Sequence, residues 1–99
     1  MPEFGSSFSG LASARKLTQA ELVRAIRFMI AAEYEAIQLY TQLAESTDHE
    51  LAIAVLRDIA DEERVHAGEF LRLLRELAPD EEGFYAAGER EVEEEMNRS

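Results

Sequence analysis

Glu63 and His66 stand three residues apart inside the stretch IADEERVHAGEFLRLLREL, residues 59 to 77, where every other seam position is apolar. Leu56, Ile59, Glu63, His66, Phe70, Leu73 and Leu77 advance in alternating steps of three and four, which sets them along one seam of a helix, and that seam is expected to be buried. A carboxylate and an imidazole on a buried face are costly to desolvate unless something compensates them, and a divalent cation does so well. Upstream, Leu22, Ile26, Met29, Glu33, Ala36, Tyr40 and Leu43 form a second seam of the same kind, broken only by a glutamate and a tyrosine hydroxyl. Glu33, Glu63 and His66 are therefore the candidate metal ligands, with Tyr40 as a supporting residue.

Two long helices must position them. Thr18 and Glu21 have the spacing of a capping box, so the first helix is expected to begin there and run to about Glu45. Ser46, Thr47 and Asp48 break the pattern, Thr47 and Glu50 repeat the capping-box spacing, and the second helix is expected to stop near Ala78 because Pro79 follows. So brief a connection makes the two helices antiparallel. Glu33 and Glu63 are equidistant in sequence from Asp48, so both carboxylates fall at one height; His66 lies a turn farther from the connection and Tyr40 two turns nearer to it.

One hairpin thus supplies two glutamates and one histidine, half of a di-iron ligand set, and the chain contains no internal repeat to supply the rest. A two-fold dimer supplies it, giving an all-α, ferritin-like four-helix bundle with four glutamates and two histidines at its centre. Four carboxylates balance the charge of two divalent ions. The donor set suits Fe(II), with Mn, Zn and Co as competitors. After Pro79, the segment DEEGFYAAGEREVEEEMNRS carries Gly83 and Gly88 but also places Phe84, Gly88, Val92 and Met96 four apart, the pattern of a short, weak helix from about residue 80. Its acidic run reads as a solvated face. Residues 1 to 16 are Ser- and Gly-rich without periodicity and are expected to form a flexible arm, with MPEFGSS having the look of a cloning remnant; the helical domain is expected over 17 to 99.

Composition narrows the chemistry further. The 99 residues suffice for one small domain, whose limited core favours self-association. With no cysteine, disulfides, thiolate zinc sites, rubredoxin-type iron and iron–sulfur clusters are excluded, so any metal must sit on oxygen and nitrogen. The net charge of -11, from 21 acidic and 10 basic residues, argues against nucleic acid or an anionic membrane as partner and favours cations. No apolar run approaches a membrane span, which makes a cytoplasmic protein the expectation.

Each ligand candidate has a plainer explanation when taken singly. An isolated seam glutamate is more often a snorkelling or salt-bridged side chain, a lone histidine more often a satisfied core residue, and a seam tyrosine more often a core tyrosine. Three ligand-type residues on two helices, in seams and at one height, are harder to explain that way. Glu35 and Glu62 flank them and could line a cation path. His49 is expected to be exposed in the first turn of the second helix, and Tyr34 and Tyr85 have no assigned chemistry.

Over about Thr18 to Leu77, and most specifically in AAEYEAIQLY (Ala31 to Tyr40) and DEERVH (Asp61 to His66), the chain resembles the encapsulated ferritins, two-helix relatives of ferritin and rubrerythrin. The resemblance implies a ferroxidase with a di-iron centre shared between two subunits, bound by Glu33, Glu63 and His66 and supported by Tyr40. It further implies a ring-shaped decamer of five dimers inside an encapsulin nanocompartment, and a metal-access role for Glu35, with calcium or other divalent cations as occupants. Some members carry an acidic residue at the position of Ala32 and a tryptophan at that of Leu39, which implies a reduced access site here. No apolar, glycine-containing targeting tail of the kind borne by free-standing members is recognisable before the final MNRS. The two alternatives are a rubrerythrin-like peroxidase served by an external electron donor, since the chain has no cysteine-ligated iron domain, and a non-catalytic hairpin whose polar seam residues specify pairing.

Overall fold

The computed structural model describes residues 14–98, and the expected arm lies almost wholly outside them. Three α-helices follow in order, with no strand among the described residues: α1, Gln19–Glu45; α2, Glu50–Leu77; and α3, Glu82–Arg98, preceded by a 3-10 turn at Pro79–Glu81.

The capping box at the start of α1 forms as expected. Thr18 Oγ1 accepts from the Glu21 amide at 3.2 Å, and a Glu21 carboxylate oxygen accepts from the Thr18 amide at 2.9 Å. Arg15 then grips both oxygens of Glu21, each at 2.7 Å. The expected second capping box does not form. His49 is the N-cap of α2, its Nδ1 accepting from the Ala52 amide at 3.2 Å, while Thr47 Oγ1 accepts from the His49 amide. An imidazole nitrogen with a free lone pair can do the work of the Thr47 hydroxyl, and the helix starts later in consequence. At the far end of α2, Gln19 Nε2 donates to the Leu77 carbonyl at 2.9 Å, so the first turn of α1 satisfies a terminal carbonyl whose helical donor, the Glu81 amide, bonds the Ala78 carbonyl instead.

The hairpin core is displaced from the expected seams by one residue. On α1 the row Val23, Ile30, Ile37, Ala44 turns inward, the first, second and fourth buried and Ile37 half-buried; on α2 the row is Ala60, Ala67, Leu74. Val23, Ile26, Ile30, Leu74 and Ala78 cluster near the open end, with Leu22, Phe70 and Leu77 packed on them. Ala60 and Ala67 present only methyl groups where α1 and α2 meet, which lets the helices approach closely. The expected seam rows instead lie along one edge of the hairpin. Met29, Glu33, Ala36, Tyr40, Ile59, Glu63 and Phe70 are half-buried, and His66, Leu43 and Leu73 are exposed. The physical reason is simple: two helices can cover each other along one row, and the adjoining row stays open unless a third and fourth helix close over it.

The third helix is longer than expected, 17 residues, and buries none of them. Ala86, Ala87 and the glutamates are good helix formers and outweigh the two glycines, and the Arg98–Glu95 pair at 2.7 Å adds local support at its end. Phe84, Val92 and Met96 all stay exposed. No helix of the described residues is long and apolar enough to cross a membrane.

Candidate metal centre

Glu33 and Glu63 reach the same level because each is placed mid-helix at equal distance from the short connection between the packed helices α1 and α2. His66 stands one turn from Glu63 on the same face of α2. Ligand atoms from all three side chains lie within 4.8 Å of one another, and among the described residues this is the only group of three or more His, Asp or Glu donors that converges so closely. His66 Nδ1 is 3.9 Å from Glu33 Oε2 and 3.7 Å from Glu63 Oε2, with the glutamate side chains 17% and 20% exposed and the imidazole 49%.

Those separations are too long for hydrogen bonds but suit a shared cation. An ion about 2.1 Å from each of three donors holds them roughly 3 to 4 Å apart. Glu33 Oε2 is buried and accepts no hydrogen bond, and it is the only such side-chain atom among the described residues. A buried carboxylate oxygen without a partner is costly, and a metal ion is the partner that its neighbours, a second carboxylate and an imidazole, could share. Two carboxylates and a neutral imidazole carry the charge that neutralises one divalent ion per protomer. The donor set therefore fits iron, and fits other divalent first-row ions as well.

The cluster opens into a cleft of about 540 Å³ lined by Glu33, His66, Glu69, Phe70 and Leu73. Exposed Glu69 was not among the expected residues; its signal in the sequence is a carboxylate three positions after His66. Tyr40 is half-buried on α1, two turns or about 10 Å along the axis from Glu33, and lies outside the cluster. Glu35 is half-buried, and among the described residues it joins no converging set of three such donors. Glu62 and His49 are exposed, the latter occupied as a helix cap. A further polar group escaped the sequence because its members are distant along the chain: Glu81 accepts from Arg27 of α1 and from the Tyr85 hydroxyl of α3, giving Tyr85 a partner.

Comparisons with known proteins agree with this architecture. The rubrerythrin family model matches residues 24–98. The chain is 46% identical over 67 residues to the encapsulin nanocompartment cargo protein EncC of Myxococcus xanthus, an alignment covering 68% of this chain and 52% of that protein. It is 40% identical over 77 residues to a ferritin-like–encapsulin shell fusion protein of Pyrococcus furiosus, covering 78% of this chain and 22% of the fusion. The chain thus spans about half the length of the first relative and about a fifth of the second. The crystal structure of the encapsulated ferritin domain from Pyrococcus furiosus superposes with a TM-score of 0.80 at 37% identity, covering 85% of this chain and 86% of that one.

Proposed function

Because the chain belongs to the rubrerythrin family, among the encapsulated ferritins, we propose that it is a ferroxidase whose Fe(II) substrate is bound between two hairpins. The observation that carries this reading is the convergence of Glu33, Glu63 and His66 on the uncovered edge of the hairpin, with one carboxylate oxygen buried and unpartnered. A site facing solvent on an apolar edge is half of a site. A second hairpin set against that edge by two-fold symmetry covers the half-buried apolar rows and brings a second set of donors, so that two Fe(II) ions share four glutamates and two histidines.

In this reading the glutamates bind Fe(II) and offset its charge, and they favour the product because hard carboxylate oxygens hold Fe(III) more strongly than Fe(II). His66 uses Nδ1, the atom that faces both carboxylates, as its ligand atom, which leaves Nε2–H as a donor. The two Fe(II) ions give one electron each, dioxygen takes up these two electrons with two protons from water and leaves as hydrogen peroxide, and Fe(III) passes from the site to storage. Tyr40 supports the centre from two turns away, and Glu35 lies on the route by which cations arrive. The names of the relatives extend the reading to work as encapsulin cargo, and the resemblance implies a ring of dimers within a cytoplasmic shell that holds the oxidised iron.

Glu63→Ala and His66→Ala are each expected to lower the initial rate of Fe(II) oxidation at least a hundredfold in stopped-flow absorbance while far-UV circular dichroism stays that of the wild type. Full activity in both variants removes the proposed site. The rubrerythrin match gives peroxide a specific claim as the alternative oxidant. The same instrument decides between them: the ferroxidase reading expects dioxygen alone to support rapid turnover, and a protein that oxidises Fe(II) only with peroxide is a peroxidase instead.

A further inference from the structure

The third helix follows the hairpin through the 3-10 turn, and the only apolar side chains it half-buries are the small Ala86 and Ala87. None of its residues is buried, and an open groove of about 620 Å³ separates its first turns from Ile30, Tyr34, Leu71 and Leu74 of the hairpin. The contacts at its base are polar. Glu81, the last residue of the 3-10 turn, accepts from the Arg27 guanidinium of α1 on one side and from the Tyr85 hydroxyl of α3 on the other. Its side chain is only 20% exposed, the same as that of the metal-site residue Glu63. The neighbouring pair, Arg75 with Glu82 at 3.1 Å, is far more open, the two side chains being 61% and 50% exposed.

We propose that Glu81 is an ionic latch, a single carboxylate that ties α1 to α3 and sets the angle at which α3 projects. Arg27 is itself 47% exposed, so the shielding is that of the carboxylate alone, and it makes this pair moderately less screened by solvent and salt than one in which both partners are open. Arg75 and Glu82, both exposed, contribute little by comparison. The leverage is large. A helix of 17 residues is roughly 25 Å long, so a 20° rotation at its base displaces the far end by roughly 9 Å. Release of Glu81 therefore moves the exposed Val92 and Met96 through a wide arc while leaving the hairpin and its metal ligands in place. The device is independent of the ferroxidase reading, since none of its residues belongs to the site.

The chain has no cysteine, so spin labels can be placed at Asp58→Cys on α2 and Glu93→Cys on α3, both exposed positions, without removing any native thiol. Labelled chain diluted into excess unlabelled chain reports distances within one protomer, and the molecular extents of 54 × 46 × 19 Å keep them within range of double electron–electron resonance. One narrow distance is expected for the otherwise wild-type chain. Glu81→Gln, and independently Arg27→Met from the other helix, should at least double the width of the distribution, while Glu82→Gln leaves it narrow. Circular dichroism confirms that each variant is folded. Unchanged widths in both latch variants overturn the proposal, as does an equal broadening in Glu82→Gln.

Discussion

A side chain suited to hold a metal can serve the metal-free protein poorly. Glu33 carries a buried oxygen with no hydrogen bond, and its seam position would suit an apolar residue. Glu33→Leu is expected to raise the stability of the metal-free protein by about 1 kcal/mol, the desolvation penalty recovered, while abolishing iron oxidation. Urea unfolding in a chelator reads the first effect; a metal-free variant less stable than wild type would show that Glu33 has a structural partner. At the N-terminus of α1, the Arg15 guanidinium and the Thr18 amide hold the Glu21 carboxyl well below its ordinary value, at about 2. With the folded value depressed, the support this group gives the helix start is complete above about 4.5 and is lost as pH falls towards about 2. Arg15→Ala should move the Glu21 titration up towards 4.5, followed by the side-chain carboxyl resonance in NMR, and an unshifted midpoint rules out Arg15 as the cause. The convergence of Glu33, Glu63 and His66 was legible in the sequence because polar types at seam spacing stand out against leucine and isoleucine. Glu69 was not, because a glutamate three positions after a histidine is a weak signal on a chain this acidic until a cleft is seen beside it.

Between helices the determining contacts are small. Ala67 is 4% exposed at the meeting of α1 and α2, so Ala67→Leu must separate the helices or strain them; a loss of about 1 to 3 kcal/mol is expected in chemical unfolding, and a neutral result would mean that the helices are not closely packed there. The two long helices and their antiparallel pairing followed from periodicity and from the short connection. The inward row did not, since Ile26 belongs equally to both rows of α1 and the alanines at 60 and 67 look unremarkable beside Ile59 and His66. Only the size of the gap between two backbones decides that alanine faces in. The third helix was underestimated for a related reason: Gly83 and Gly88 weigh against a helix in any propensity sum, yet a Cβ at either would meet nothing within 4 Å. Gly88→Ala should therefore stabilise α3 by roughly 0.5 to 1 kcal/mol, slowing amide exchange in Phe84 to Glu93 a few-fold; faster exchange would indicate that the glycine is needed.

At the scale of the whole molecule, a single hairpin leaves apolar side chains and the three candidate ligands on one edge of a protein of net charge -11. In the function proposed above, assembly and metal binding are one equilibrium. If iron binds the paired hairpins and not the single one, mass action draws protomers together, and without iron the converging glutamates oppose that pairing. Acid reverses the effect of iron, because the carboxylates and imidazole bind metal only when deprotonated. The dimer itself was inferred from the sequence through a ligand count that one chain cannot complete, and the structure adds the uncovered edge on which the second chain would sit. The most direct test is sedimentation velocity at low micromolar protein over a dilution series, in chelator and with anaerobic Fe(II), for wild type and for Glu33→Ala. The account predicts a wild-type mass that rises with Fe(II) at every dilution and a Glu33→Ala mass that does not respond. A wild-type mass distribution indifferent to Fe(II) across the series would contradict a site shared between two protomers.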